Sequence, residues 1–212
     1  MNLETLKEEQ RRLASRARFT PLGRTVKKVA GADVAYPEKA RARAAVVLLS
    51  WPELKPLEEV VVEGPVNFPY IPGYLSFREV PALLAAFEKL SSPPDLVFVD
   101  GQGLAHPRGC GLAVHLGVSL GLPTLGCAKK PLIKDFDPPG DEFGARSPIW
   151  LEGRVVGYAV RTRVGVKPVY VSPGHLLTPE EAVEYVLAAV RGFRLPEPLR
   201  QAHRLSVEAG RG

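Results

Sequence analysis

A chain of 212 residues, 45% hydrophobic and 24% charged, is long enough for one α/β core, or two very small ones, and has the balance of an ordinary soluble domain. No apolar run nears the roughly 18 residues that span a bilayer; the charged opening Met1-Asn2-Leu3-Glu4-Thr5-Leu6-Lys7 also lacks the apolar stretch of a secretion signal, so a cytoplasmic location is expected. The net charge of +5 favours polyanions such as nucleic acid, and Cys110 and Cys127, without a histidine pair at ligand spacing, read as reduced core thiols rather than a zinc site.

In chain order, Leu3 to Arg18 reads as a polar amphipathic helix that ends before Pro21. Three strand-like stretches follow, Val26 to Tyr36, Ala42 to Trp51 and Leu57 to Gly64; their short links predict an antiparallel meander. Phe68-Pro69-Tyr70-Ile71-Pro72-Gly73-Tyr74-Leu75 is too rich in proline for a regular element and predicts an ordered loop. Val80, Leu83, Leu84 and Phe87 then mark a helix from about Phe77 to Lys89. Leu96-Val97-Phe98-Val99 is continuously apolar, as in a strand buried on both faces. Gly111 to Leu120 reads as a helix and Thr124 to Ala128 as another buried strand; Pro148 to Val171 holds further strands around a Glu152-Gly153 turn. Thr178 caps a helix from Pro179 to Arg191, and a last helical stretch covers Leu199 to Val207. The order βββαβαβ, with helices at both ends, predicts a single domain over 1–212 with one mixed sheet flanked by helices; the tail from about 206 is expected to fray.

Most of the acids lie in polar runs, but Asp33 sits inside Val29-Ala30-Gly31-Ala32-Asp33-Val34 and Asp100 closes an apolar strand. A carboxylate so placed costs several kcal/mol unless it is paired or holds a cation. Glu79, at the start of a helix, is a third acid. Three converging carboxylates repel one another, and a hard divalent cation such as Mg²⁺ relieves that while leaving room for a phosphate. For each acid alone, a strand-edge, helix-capping or turn role is an equal alternative.

After Asp100 comes Gly101-Gln102-Gly103-Leu104-Ala105-His106-Pro107-Arg108, where two glycines allow close backbone approach to a ligand and His106 and Arg108 could reach phosphate or base. No third glycine stands at the dinucleotide-binding spacing, which disfavours a nucleotide cofactor. Lys129 and Lys130 follow a buried strand at an end where α/β ligands commonly bind. His175 falls in a stiff Ser172-Pro173-Gly174 turn before a helix. Tyr70, held between Pro69 and Pro72, is a candidate base-stacking wedge, although loop packing is the commoner role of an isolated tyrosine.

Taken together, these stretches resemble the endonuclease V family, which repairs deaminated DNA. The matching segments are Val29 to Asp33, Pro69 to Glu79, Val99 to Arg108, Gly126 to Lys130 and Val169 to His175, in the family's order. The resemblance implies a ribonuclease-H-like fold and a set of site roles. Asp33 and Asp100 would ligate Mg²⁺, for which Mn²⁺ would substitute, and Glu79 would complete the acidic cluster. Lys129 would balance charge at the scissile phosphate and His175 would assist there. Pro69, Tyr70, Ile71 and Pro72 would form the wedge. Gly73, Leu75, Gly101, His106 and Leu132 would line the pocket for the flipped base.

The implied reaction is hydrolysis of the second phosphodiester 3′ to hypoxanthine, leaving 3′-hydroxyl and 5′-phosphate ends. Damaged DNA is the expected partner and a monomer the expected state. The rival readings are an inosine-specific endoribonuclease, another nuclease of the same fold and a catalytically silent DNA-binding module.

Overall fold

The computed structural model describes residues 2–38 and 40–208. Its centre is an eight-stranded mixed sheet. β1 (Lys28–Glu38), β2 (Arg41–Ser50) and β3 (Pro56–Pro65) form the expected antiparallel meander. β4 (Leu96–Val99) and β5 (Thr124–Ala128) extend it in parallel with β1; β8 (Val169–His175), β7 (Arg154–Val160) and β6 (Arg146–Leu151) then continue antiparallel, giving the order β3-β2-β1-β4-β5-β8-β7-β6. The central strands are apolar on both faces because helices cover both.

On one face, Val80, Leu83 and Ala86 of α2 (Leu75–Phe87) and Leu116 of α3 (Leu112–Leu120) pack on Ala30, Ala32, Val97 and Val99. On the other, Val183 of α4 (Pro179–Ala188) and Leu199 of α5 (Glu197–Glu208) pack on Val29, Leu96 and Phe98. The period of two in β1 and β4 therefore decides where the acids go. Val29, Gly31 and Asp33 share the α5 face, and Phe98 leads to Asp100 beside them. A Cβ built on Gly31 would lie 1.9 Å from the Pro198 carbonyl oxygen, so the missing side chain is what lets α5 lie down on β1.

α1 (Leu3–Arg16) packs by Leu13 on Cys110, Val114 and Val118 of the α3 region. Both cysteines are buried and free, as expected. Thr178 caps α4 in a reciprocal capping box with Glu181.

Two expectations are corrected. Residues 171–175 form the end of β8, not a free turn; the missing N–H of Pro173 is accommodated where the β5–β8 register shifts between Thr124 and Leu125. The chain does not fray at 206. Ser206 is fully buried, and the guanidinium of buried Arg43, paired with Glu63 at 2.6 Å, donates to the Ser206 and Val207 carbonyls that close α5. Positions 209–212 lie outside the described residues.

Candidate active site

Parallel pairing of β1 with β4 brings Ala32 level with Val99, so the next residues lie side by side: Asp33 in the middle of β1, which runs on past the shorter β4, and Asp100 just beyond the carboxyl end of β4. Lys129, one residue past β5, reaches across to Asp100 Oδ2 at 2.5 Å. Glu79 enters from α2, its Oε1 accepting from the Tyr36 hydroxyl at 2.9 Å. From α5 on the opposite face, His203 Nδ1 lies 3.0 Å from Asp33 Oδ2, and the Ser206 hydroxyl donates to the same oxygen at 2.8 Å. Ligand atoms of Asp33, Asp100 and His203 all lie within 4.8 Å of one another.

The electrostatics of the group favour a cation. Burial, with the charges of Asp33 and Asp100 added and the Tyr36 hydrogen bond opposing, pushes the Glu79 carboxyl up to about 8. Burial also raises the Asp100 carboxyl, against the pull of Lys129 and with the push of Asp33. On Lys129, burial works to lower the ammonium, but the Asp100 carboxylate outweighs it and the net shift is upward. Lys129 thus serves Asp100 and Asp33, while the cation acting on Glu79 is Arg78. Two carboxylates converging from adjacent strands, with a third acid behind them and an imidazole beside them, fit a hard divalent cation of the Mg²⁺ or Mn²⁺ kind.

Asp100 also forms part of the wall of a cavity of about 290 Å³ between the loop before α2 and the turn after β4. That volume is at the low end of the ~300–1,000 Å³ usual for small-ligand pockets. Gly73, Leu75, Gly101, His106 and Leu132 all line it, as do Tyr70 and Pro72. Tyr70 is 67% exposed at its mouth, whereas the loop beneath is pinned by Phe68, Tyr74 and Ile71 packing with Leu6 and Phe77. Pro69 and Ile71 belong to that loop without lining the cavity.

His106 and Arg108 act on the loop and not on open solvent. His106 Nδ1 accepts the Arg108 N–H, so its proton sits on Nε2, which donates to the Gly73 carbonyl at 3.1 Å. Arg108 donates to the same carbonyl at 2.8 Å, bonds Gln10, and lies over the Tyr74 ring. Burial, with the nearby Arg108 charge, lowers the His106 imidazole to about 4 and keeps it neutral.

His175 is not brought to the acids. It pairs with Thr124 at the start of β5, level with Val97, and is therefore three residues back and two strands across from Asp100, on the order of 14 Å by strand geometry. The histidine beside the acids is His203, which sequence reasoning missed. Its signal is faint: a histidine one residue from the buried stripe Leu199, Ala202 and Ser206 of a C-terminal helix.

The fold and cleft therefore define an α/β protein with an acidic, cation-fitting centre opening into a small-ligand cavity. The sequence model of the endonuclease V family matches residues 10–204, and the chain belongs to that family. The endonuclease V of Gloeobacter violaceus is 51% identical over 203 residues, which cover 94% of this chain and 82% of the relative. The crystal structure of Streptomyces avermitilis endonuclease V superposes with a TM-score of 0.92 at 40% identity, covering 99% of this chain and 93% of that one. The Ciona intestinalis endonuclease V, crystallised with a 24mer DNA containing an inosine followed by a ribo-adenosine, superposes with a TM-score of 0.87 at 26% identity and covers 99% and 98% of the two chains. The ribonuclease-H-like fold that the resemblance implies is the fold of this protein.

Proposed function

We propose that this protein nicks DNA beside deaminated bases, chiefly hypoxanthine, at the second phosphodiester 3′ to the lesion, leaving 3′-hydroxyl and 5′-phosphate ends. The observation that carries this reading is that Asp100 belongs at once to the acidic cluster and to the wall of the 290 Å³ cavity, so a base held in the cavity has its own strand beside the acids. The family relative crystallised with inosine-containing DNA supports it.

Asp33 and Asp100 would hold Mg²⁺, with Mn²⁺ as a substitute and Glu79 behind them. The bound cation supplies Lewis acidity at the phosphate and a more acidic water. His203 takes the place at the scissile phosphate that the resemblance gave to His175. With Nδ1–H donating to Asp33, its Nε2 is an acceptor for the proton of the attacking water. Lys129 balances the charge of the phosphate once the acids are occupied.

Tyr70 stacks in the gap that the extruded nucleotide leaves, and a mispaired inosine costs least to extrude. A wall containing Gly73 and Gly101 brings backbone amides to the base, where they can accept and donate to the lactam edge of hypoxanthine and leave the amino group of adenine unmatched. One cleft carries all of these groups, and we read the working unit as a monomer.

The test is incubation with a labelled duplex carrying one deoxyinosine, with Mg²⁺ or with chelator, beside an undamaged duplex and an inosine RNA. A single Mg²⁺-dependent nick in the inosine DNA supports the reading. Cleavage of the RNA alone transfers the same site to an endoribonuclease, and silence on both leaves a binding module.

A further inference from the structure

His175, displaced from the acids, is built into a second cleft of about 560 Å³ at the far end of the sheet. Arg16 at the end of α1 and Arg18 just beyond it line the same cleft, and among the described residues no Asp or Glu does. Both arginine side chains are exposed, and neither forms an ion pair among the described residues. His175 itself is buried, and its Nδ1 accepts the Arg18 N–H at 3.2 Å. Its proton is therefore on Nε2, which has no partner among the described residues.

The ring is fixed from behind and in front. A Cβ on Gly117 would lie 2.7 Å from His175 Cβ, so α3 closes directly on it. The next residue, Leu176, is held at φ 51° and donates to the Arg18 carbonyl at 2.6 Å. A left-handed leucine costs on the order of 1 kcal/mol, and here it fixes the chain where β8 leaves the sheet. Burial, then the charges of Arg18 and Arg16, lower the imidazole, as expected where positive groups share a cleft without a counterion.

We propose that this cleft takes a backbone phosphate of the nucleic acid, held by the Arg16 and Arg18 guanidinia and His175 Nε2–H, and that α1 thereby grips the duplex flanking the lesion. The proposal rests on the nuclease reading for its choice of ligand. The geometry of α1 supports it. Near its start Leu6 packs under the Tyr70 loop, Gln10 donates to the Gly73 carbonyl at 2.8 Å, and its other end opens on the cleft. From Leu6 beneath the loop to Arg16 at the cleft the helix rises roughly 15 Å, about four nucleotide steps of a strand. Arg11, also exposed, lies between the two ends.

The test uses the full chain and the double variant Arg16→Gln/Arg18→Gln, which keeps the Arg18 backbone bond to His175. Affinity for an inosine duplex is measured against salt with arms of about twelve base pairs, and again with each arm in turn cut to about three, too short to reach the cleft. The variant should bind the long duplex more weakly, with its log–log salt slope reduced by about 1 for each phosphate no longer neutralised. Shortening one particular arm should erase the difference between variant and wild type. An unchanged slope on the long duplex would overturn the proposal, as would an equal deficit whichever arm is shortened. Inorganic phosphate that shifts the His175 ring resonances and competes with no duplex would reassign the cleft to a free anion. Wild type that binds with the predicted arm dependence but never nicks inosine would refute the nuclease reading and leave the cleft standing.

Discussion

Gly31→Ala should disable the site without touching any group in it. Gly31 lies two residues before Asp33 on the face covered by α5, and an alanine Cβ would sit 1.9 Å from the Pro198 carbonyl oxygen. Separations below 3.0 Å are essentially never seen for a Cβ, so that gap must open by about 1.1 Å. Pro198 is in the first turn of α5, which carries His203 and Ser206, the two partners of Asp33 Oδ2. Lifting the helix by this much moves His203 off Asp33, and ~1 Å of misplacement in an active site costs on the order of 100-fold in rate. Overpacking of this kind destabilises by roughly 1–3 kcal/mol, or about 2–12 °C in Tm for a chain of this size. The assay is the single-turnover nicking rate on an inosine duplex, run well below the variant's own melting temperature as located by calorimetry. A folded Gly31→Ala protein that cuts within about threefold of wild type, a difference of under ~1 kcal/mol, would refute the coupling of α5 to the site.

The remaining predictions concern the histidines and the wedge. His203→Ala should lower the single-turnover rate by about 10²–10⁴, the usual yield of a positioned proton-transfer group, whereas His175→Gln at saturating protein should leave it nearly unchanged; equal losses would contradict the assignment. His106 is neutral and buried with its imidazole lowered to about 4, so its contribution to stability is complete above the ordinary value of 6.5 and is lost as pH falls from 6.5 through 4. At ~1.4 kcal/mol per tenfold in proton affinity that loss is on the order of 3 kcal/mol, and His106→Gln should flatten the denaturant midpoint over this range; an equally steep acid limb in the variant would exclude His106 as its cause. Tyr70→Ala should weaken binding of the inosine duplex by the ~1–3 kcal/mol of one stacking interaction while Mn²⁺ affinity, followed by electron paramagnetic resonance, stays constant; parallel losses would sink the wedge role.

Much of this was legible in the sequence because it is carried by local pattern. The continuous apolar run before Asp100 gives a doubly buried strand, and an acid set inside an apolar stretch singles out Asp33. Thr178 and Glu181 announce the start of α4, and the prolines around Tyr70 announce a rigid loop. What failed depends on contacts between distant segments. His203 reaches Asp33 across 170 positions, and nothing in the helix around it distinguishes that histidine from a surface one. His175 misled because Pro173-Gly174 looks like a turn, whereas a register shift lets both continue β8 and carries the histidine to the wrong end of the sheet. The close of α5 was likewise invisible, since the Arg43 that satisfies its last carbonyls lies on β2. The glycine-rich turn was legible as a place of close approach, but what approaches includes the chain itself: a Cβ on Gly103 would lie 2.3 Å from the Pro173 carbonyl.

The most direct measurement of the central claim is to map the cut made by wild type and by Asp100→Ala on a duplex with one deoxyinosine and a label on each end of that strand. In Mg²⁺, wild type should give one break at the second phosphodiester 3′ to inosine, with a ligatable 5′-phosphate and an extendable 3′-hydroxyl. Asp100→Ala should bind the same duplex and give no break. Breaks scattered without regard to inosine, a break that appears only after alkali treatment, or retained cleavage by Asp100→Ala in Mg²⁺ would contradict it.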